Sequence, residues 1–311
     1  MKAALGVLLL LATFPVGVLG YNAYVGYRMN KDLPKIDLDP ATGIMKGAEP
    51  VFLEADGNRA ILMIHGYIGS PTDFGRLPQL LHQAGFTVSA PLLPGHGRDP
   101  RDFSKTTSHE LVHFAVEAYT DLKKSYDHVT LIGLSMGGAL GVIVAANHID
   151  DSVDRLILLA PYFRIKHHWY YLLPAEIHHK IASPFIPYVK RPGMFKQVYN
   201  KESLPYLVDY DFISTKGTTA ALQVSEQAKQ NFAKLSASES PILVIHSKKD
   251  KAADYKATHE IIEKLGRKDV RLVLLNRSNH LILWDYEAEI VEEEIMKFIS
   301  EPEVRDEKTI V

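Results

Sequence analysis

The chain has 311 residues, of which 46% are hydrophobic, enough for one large globular domain with a terminal extension. Its formal net charge of −2 gives no indication of a nucleic-acid partner or of a strongly charged substrate. The chain contains no cysteine. Disulfide bonds, thiol catalysis and cysteine-based metal sites are therefore excluded, and neither a reducing nor an oxidising compartment is favoured.

The first 27 residues form a separate apolar segment, in which residues 3–27 carry no charge. About twenty apolar residues in a helix are enough to cross the hydrocarbon layer of a bilayer. We therefore expect residues 1–27 to be a single transmembrane anchor. The alternative is a signal peptide cleaved near residues 18–20, which would leave a secreted or periplasmic protein. Residues 28–50 carry charges and three prolines without clear periodicity, which predicts a linker.

The folded body is expected to begin at residue 51 and to alternate between strands and helices. Apolar runs without polar alternation predict buried strands at residues 60–64, 86–90, 128–132, 155–161, 241–246 and 270–275. Helical spacing of apolar residues predicts helices at residues 74–84, 109–125, 139–146 and 287–300. In the last helix, Ile290, Val291, Ile295 and Phe298 are expected to face inward. Buried strands separated by helices indicate an α/β protein with a parallel sheet covered on both faces.

Residues 162–240 interrupt this alternation and are rich in aromatic residues and proline. A segment of this length between consecutive strands is too long for a simple loop. We predict a helical cap over the carboxyl ends of the strands, whose aromatic residues either pack among themselves or face a substrate. The core then consists of residues 51–161 and 241–300, and residues 301–311 form a charged tail.

The segment Gly133–Gly138 reads Gly-Leu-Ser-Met-Gly-Gly and lies between a predicted strand and a predicted helix. A G-x-S-x-G sequence at a sharp strand-to-helix turn is typical of a nucleophile elbow. Because the residue at the apex is held in a strained backbone conformation, its neighbours two positions away must be small, and Gly133 and Gly137 are. We predict that Ser135 is a nucleophile. The motif also arises by chance, so the prediction requires a base, an acid and an oxyanion hole elsewhere.

A serine hydroxyl is a poor nucleophile near neutral pH and needs a neighbouring base, for which an imidazole is suited. His280 follows the last predicted strand by a short turn, which places it at the carboxyl edge of the sheet. We predict that His280 is the base. His65 and His96 lie in loops that precede the elbow, and His246 ends a strand, where it could equally be packed beneath the site.

The base needs an acid that fixes its tautomer and stabilises its cation. Asp250 lies on the turn that follows the strand at residues 241–246, and we predict that it is this acid. Asp254, four residues further on, is the main alternative. Asp285 is close to the predicted base in sequence, but we expect it on the following helix.

An oxyanion hole needs two backbone N–H groups that point at the developing negative charge. Met136, directly after the predicted nucleophile, is expected to provide one of them. Tyr67 is expected to provide the other, because Gly66 allows the chain to turn after the strand at residues 60–64. The alternative is that this segment is only a turn at the end of a strand.

Together these motifs resemble the α/β-hydrolase superfamily, and within it they are most similar to bacterial carboxylesterases and monoacylglycerol lipases. The motifs are His65-Gly66-Tyr67-Ile68-Gly69-Ser70-Pro71, Pro94-Gly95-His96-Gly97, Gly133–Gly138, Asp250 and Ser278-Asn279-His280. The order Ser135, Asp250, His280 along the chain is that of the superfamily's triad. The resemblance covers roughly residues 50–300. It implies the α/β-hydrolase fold, with a mostly parallel sheet flanked by helices and a helical cap inserted between late strands.

The resemblance also implies acyl transfer through a Ser-His-Asp triad, without a metal or an organic cofactor and without a catalytic role for His96. We therefore expect a serine hydrolase of short to medium acyl esters, with monoacylglycerols as candidate substrates. Its partners would be the ester and, through the N-terminal segment, a membrane. The alternatives are a thioesterase, an amidase or an acyltransferase with the same triad. A further alternative is a non-catalytic, membrane-tethered binding protein on the hydrolase scaffold.

Overall fold

The structure is a computed structural model that describes residues 2–148, 153–167, 173–191, 197–208, 210–267 and 269–302, with side chains from residue 14 onward. Its strands are β1 (Val51–Leu53), β2 (Arg59–Ile64), β3 (Thr87–Ala90), β4 (His128–Leu134), β5 (Leu156–Leu159), β6 (Tyr188–Lys190), β7 (Phe212–Ser214), β8 (Ile242–Ser247) and β9 (Val270–Leu275). Its helices are α1 (Lys2–Asp32), α2 (Leu77–Gln83), α3 (Pro100–Phe103), α4 (Ser108–Ser125), α5 (Met136–Asn147), α6 (Ala175–Ala182), α7 (Thr215–Leu235), α8 (Tyr255–Leu265) and α9 (Ala288–Ser300).

Seven strands form one sheet in the order β1-β3-β2-β4-β5-β8-β9. β1 pairs with β3 in the antiparallel direction, and the other neighbours are parallel. Parallel strands end at the same edge of a sheet, so the loops that follow β2, β4, β8 and β9 meet there. These four loops carry the residues that the sequence singled out for catalysis.

The sheet is buried on both faces, as the unbroken apolar runs predicted. Apolar residues of α4, α5, α7 and α8 pack on one face, and those of α2 and α9 pack on the other. The prediction for α9 holds for Val291, Ile295 and Phe298, which are buried, but Ile290 is 46% exposed. The prediction for Ile290 is wrong. Successive residues are rotated by about 100° around a helix, so Ile290 lies outside the buried face of α9 to which its neighbour Val291 belongs.

The insertion between β5 and β8 is not purely helical. It contains α6 and α7, but also β6 and β7, which pair antiparallel with Val189 opposite Ile213. Each of these strands has only three residues, too few to show the alternation by which a strand is recognised in a sequence. Helix α7 packs against α5 and so joins the insertion to the core.

The N-terminal helix α1 runs past residue 27, where the sequence placed the end of the membrane anchor, and ends at Asp32. In the ranges that the structure describes, no helix is both long enough and apolar enough to cross a membrane. The predicted transmembrane anchor therefore receives no support. The side chains of its apolar core, residues 4–12, lie outside the described residues.

The last turns of α1 and the segment after it pack against the body. Val25, Met29 and Leu33 are buried against Phe212 of the insertion. Within the expected linker, Ile44, Met45 and Ala48 are also buried, because they form a cluster with Tyr210. From residue 303 onward, the predicted charged tail lies outside the described residues.

Candidate active site

Ser135 lies at the corner between β4 and α5, in a backbone conformation that residues with side chains rarely adopt. Its φ is 55° and its ψ is −117°. The corner is also tightly packed: a Cβ atom at Gly137 would overlap the carbonyl oxygen of Ile64, and one at Gly133 would overlap the backbone of Gly137. Only glycine fits at these two positions, for the steric reason that the sequence suggested. The surrounding structure thus holds Ser135 in its strained conformation.

His280 brings its imidazole to this corner from the loop after β9. Its Nε2 lies 2.8 Å from Oγ of Ser135, although the two residues are 145 positions apart in the chain. Both residues are nearly shielded from solvent, with relative exposures of 7% for Ser135 and 4% for His280. The serine hydroxyl can therefore donate its hydrogen bond to a ring nitrogen that accepts it.

Asp250 approaches the other side of the same ring, from the loop after β8. Its Oδ2 lies 2.7 Å from Nδ1 of His280, so the imidazole donates to the carboxylate and Nε2 is left as the acceptor. Burial lowers the pKa of His280, but the charge of Asp250 and this hydrogen bond more than offset it, and the net pKa is raised. Burial likewise raises the pKa of Asp250, and the two histidines that contact it outweigh this effect and hold the pKa well below its usual range.

The carboxylate of Asp250 has further partners that the sequence did not reveal. Its Oδ1 accepts hydrogen bonds from the backbone N–H groups of Ala252 at 2.7 Å and Ala253 at 2.9 Å. Its Oδ2 also lies 3.1 Å from Nε2 of His246. His246 was considered as an alternative base or as a residue beneath the site, and the structure places it beneath the site. The only signal in the sequence was its position at the end of a strand, four residues before Asp250.

The two predicted oxyanion donors belong to the chain segments next to Ser135. Met136 is the first residue of α5, where an N–H group has no partner inside the helix. Tyr67 follows Gly66, and a Cβ atom at Gly66 would lie 2.9 Å from Cβ of Ser135. The loop after β2 thus passes directly over the serine. Neither of the two N–H groups donates a backbone hydrogen bond within the described residues.

His65 and His96 support this loop instead of facing the serine. Leu93 donates its N–H to Nε2 of His65 at 3.0 Å, and Nδ1 of His65 can then donate to the carbonyl oxygen of Gly66 at 3.0 Å. Burial lowers the pKa of His65 well below its ordinary value and lowers that of His96 to about 4. Both rings are thus held neutral. His65 ties the loop after β2 to the loop after β3, and the ring of His96 packs against it with the ring centroids 5.1 Å apart.

Asp254, the main alternative for the acid, lies apart from the imidazole of His280. It caps the N-terminus of α8 by accepting from the N–H of Lys256, and it forms an ion pair with Arg164 at 2.9 Å. Burial raises the pKa of Asp254, but its hydrogen bonds, above all the one from Arg164, outweigh burial, and the net pKa is lowered. In the described ranges, histidine and carboxylate side chains form no group of three that could hold a metal ion.

Two carboxylates after His280 fix the loop that carries it. We expected Asp285 on α9, but it lies between a short helical turn and α9. It accepts hydrogen bonds from the N–H groups of Tyr199, Asn200 and Asn279. Glu287 accepts from the backbone of residues 276–278. The sequence analysis missed both roles. Their signal was two acidic residues, five and seven positions after a histidine in a turn-rich loop.

Comparison with known proteins identifies the family to which the chain belongs. The sequence model of the family described as Serine aminopeptidase, S33, a group of α/β hydrolases, matches residues 56–287, more than half of the chain. The chain therefore belongs to this family. The resemblance to the α/β-hydrolase superfamily and the expected fold are confirmed.

Two relatives of the chain are named as a lipase and an esterase. A thermostable monoacylglycerol lipase of Bacillus sp. (strain H-257) is 26% identical over 265 residues, which cover 83% of this chain and 96% of the lipase. A carboxylesterase of Bacillus subtilis (strain 168) is 20% identical over 244 residues, which cover 78% of this chain and 93% of the esterase. The chain is thus an enzyme of the lipase and esterase type, as expected.

Solved structures share the fold. One from work on the metagenome-derived lipolytic enzymes LipS and LipT superposes with a TM-score of 0.73 at 23% identity, covering 82% of this chain and 98% of its own. The monoacylglycerol lipase of Paleococcus ferrophilus superposes with a TM-score of 0.66 at 19% identity, covering 80% of this chain and 97% of its own.

Proposed function

We propose that this protein hydrolyses carboxylic esters through an acyl-enzyme on Ser135, with His280 as the base and Asp250 as the acid. The observation that carries the proposal is the continuous hydrogen-bonded line from the serine hydroxyl to the imidazole at 2.8 Å and from the imidazole to the carboxylate at 2.7 Å. A base in contact with the nucleophile and oriented by a third group is the arrangement that activates a serine.

The first half of the reaction would form the acyl-enzyme. Oγ of Ser135 attacks the carbonyl carbon of the ester while its proton moves to Nε2 of His280. The carbonyl π electrons move onto the oxygen, and the backbone N–H groups of Tyr67 and Met136 stabilise the resulting oxyanion. When the tetrahedral intermediate collapses, the bond to the leaving alkoxide breaks and His280 gives that oxygen the proton. The alcohol leaves, and the acyl group remains on Ser135.

The second half would release the acid. A water molecule gives a proton to Nε2 of His280 and attacks the acyl carbon, which forms a second oxyanion in the same place. The intermediate collapses, the bond to Oγ breaks, and His280 returns the proton to Ser135. Asp250 stays ionised throughout and stabilises the imidazolium that forms in each half.

The substrates that we propose are esters with short to medium acyl chains, among which monoacylglycerols are the first to test. The names of the relatives support this class, since they include a monoacylglycerol lipase and a carboxylesterase. Residues 162–240 would act as the cap over the site. Its backbone already contacts the nucleophile, because the N–H of Tyr162 donates to the carbonyl oxygen of Ser135 at 3.1 Å.

The test is hydrolysis of p-nitrophenyl esters of increasing chain length, together with labelling by a fluorophosphonate probe. We expect turnover and labelling in the wild type and neither in Ser135→Ala. Ser225→Ala is the matched control, because Ser225 is equally buried in α7 and lies outside the proposed machinery. Full ester turnover by a folded Ser135→Ala protein would refute the proposal.

The same enzyme should be assayed with thioesters, with aminoacyl amides and with an alcohol as acyl acceptor. The same triad serves all these reactions, and the family description includes aminopeptidases. A faster reaction with an amide or thioester than with the matched ester would change the substrate class but not the nucleophile. Absence of probe labelling in the wild type would instead favour a non-catalytic binding protein.

A further inference from the structure

A second histidine shares the acid of the proposed triad. His246 is the fifth residue of β8, and its side chain has no exposure to solvent. Its Nε2 lies 3.1 Å from Oδ2 of Asp250, the same oxygen that faces His280. On the other side of the ring, Nδ1 lies 3.0 Å from the hydroxyl of Thr258 in α8. The ring therefore fills the space between the proposed acid and a helix.

The chemistry of the partners fixes the protons of this ring. An ionised carboxylate can only accept hydrogen bonds, so Nε2 of His246 must carry the hydrogen that points at Asp250. In the neutral ring Nδ1 is then an acceptor, and the hydroxyl of Thr258 can donate to it. This is the opposite tautomer from His280, which donates from Nδ1 and accepts at Nε2. His246 is thus arranged to hold the carboxylate and not to exchange protons with a substrate.

With the hydrogen bond from His246, every acceptor site of the Asp250 carboxylate has a donor. Its Oδ1 accepts from the N–H groups of Ala252 and Ala253, and its Oδ2 accepts from His246 and His280. Four donors match the roughly four lone-pair sites of a carboxylate. A carboxylate held at all four sites cannot rotate about its Cβ–Cγ bond without breaking hydrogen bonds in a site from which water is excluded.

We propose that His246 is a positioning residue that holds the carboxylate of Asp250 in line with His280. The inference rests on the proposed function, because it assigns a task within the same triad. Without the N–H of His246, one lone pair of Oδ2 has no donor and the carboxylate can tilt away from the imidazole. Misplacement of a catalytic group by about 1 Å can cost about 10²-fold in rate. The loss should fall on kcat and leave KM unchanged, because His246 does not reach the serine.

Five variants test this. His246→Leu removes the donor and should lower kcat for p-nitrophenyl esters by about 10²-fold, as expected for a misplaced group. His246→Gln restores an N–H of similar reach and should recover most of the rate. Thr258→Val removes the hydrogen bond that holds Nδ1 and leaves the ring free to tilt, so it should lower kcat in part, whereas Thr258→Ser should not. Val244→Ala, two positions earlier in β8, is the control for packing and should destabilise the fold without lowering kcat.

Several results would overturn the proposal. These are an unchanged kcat in His246→Leu, a Gln variant as slow as the Leu variant, or an equal loss of kcat in Val244→Ala. If His246→Leu does not fold, the Thr258 pair decides, because equal rates in Val and Ser would show that holding the ring of His246 in place has no effect on the reaction.

A measurement that needs no turnover separates this inference from the proposed function. In protein labelled with 15N-histidine, we expect His246 to carry its hydrogen on Nε2, and the downfield Nδ1 proton of His280 to shift in His246→Leu but not in Val244→Ala. A hydrogen on Nδ1 of His246 would overturn the inference even if ester hydrolysis is found. Absence of ester hydrolysis with the expected spectra would refute the proposed function alone.

Discussion

The hydroxyl of Tyr67 lies 2.6 Å from the hydroxyl of Thr218 and so joins the loop after β2 to helix α7 of the insertion. The backbone of the same tyrosine is a proposed oxyanion donor, so one residue connects the proposed reaction site to the insertion between β5 and β8. Thr218 can take part because it also donates to the carbonyl oxygen of Ser214, one turn earlier. A phenylalanine would leave the backbone unchanged and remove only this connection.

We therefore expect Tyr67→Phe to retain ester hydrolysis and to lose about 1 kcal/mol of stability, the usual net value of one hydrogen bond. Thr218→Val should lose a similar amount. The double variant should lose less than the sum, because both changes remove the same bond. Urea unfolding of the four proteins measures this. Strictly additive losses would mean that the two hydroxyls contribute independently.

The second prediction concerns the packing of the elbow. Gly137→Ala places a Cβ atom against the carbonyl oxygen of Ile64, which is backbone and cannot move aside. We expect a loss of at least about 3 kcal/mol, at the upper end for overpacking. The matched control is Gly20→Ala in α1, where a Cβ atom meets nothing within 4 Å. That change should be neutral or stabilising, since alanine favours helices. Urea unfolding of the two variants measures the difference, and equal midpoints would contradict the packing argument.

The third prediction is a pH dependence. His280 must be neutral to accept the proton of Ser135, and its pKa is raised above the ordinary 6.5. The value of kcat/KM should therefore fall as the pH is lowered through that raised pKa, with a midpoint above 6.5. In Asp250→Asn the effect of burial, which lowers the pKa of His280, is less opposed, so the midpoint should move to lower pH.

The rate of Asp250→Asn should also fall, by about 10⁴-fold as for the same change in a Ser-His-Asp triad of another fold, because the amide favours the wrong tautomer of the base. A pH series of kcat/KM on both proteins tests this prediction. A midpoint that stays in place in Asp250→Asn would show that the charge of Asp250 does not set the pKa of His280.

The fourth prediction separates the two aspartates that the sequence offered. Asp254→Asn should keep kcat close to the wild-type value, because Asp254 contacts Arg164 and caps α8 and does not contact His280. Asparagine is also a good N-cap, and the exposed part of the ion pair contributes at most about 1 kcal/mol. Parallel assays of Asp254→Asn and Asp250→Asn decide the matter. A large loss of kcat in Asp254→Asn, with little loss in Asp250→Asn, would mean that Asp254 and not Asp250 is the acid of the triad.

Much of the site could be predicted because its signals are local. Gly133 and Gly137 are spaced by the steric needs of one corner, and the loops with Tyr67, Asp250 and His280 directly follow apolar strands. The membrane anchor was predicted from hydropathy alone, and the structure gives it no support. The short strands β6 and β7 were missed because three residues carry no readable period.

The sequence by itself determined the order of the buried strands β2, β3, β4, β5, β8 and β9, the corner that carries Ser135, and the set of histidines and aspartates at one edge of the sheet. These depend on neighbours a few residues apart. The sequence did not predict β1, α3 or α8. Only the tertiary structure decided the position of His246, which the sequence left open: its ring contacts Asp250, while that of His280 faces Ser135. Strand pairing brings together residues that are far apart in the chain, and the local sequence around a histidine does not predict the direction in which its imidazole points.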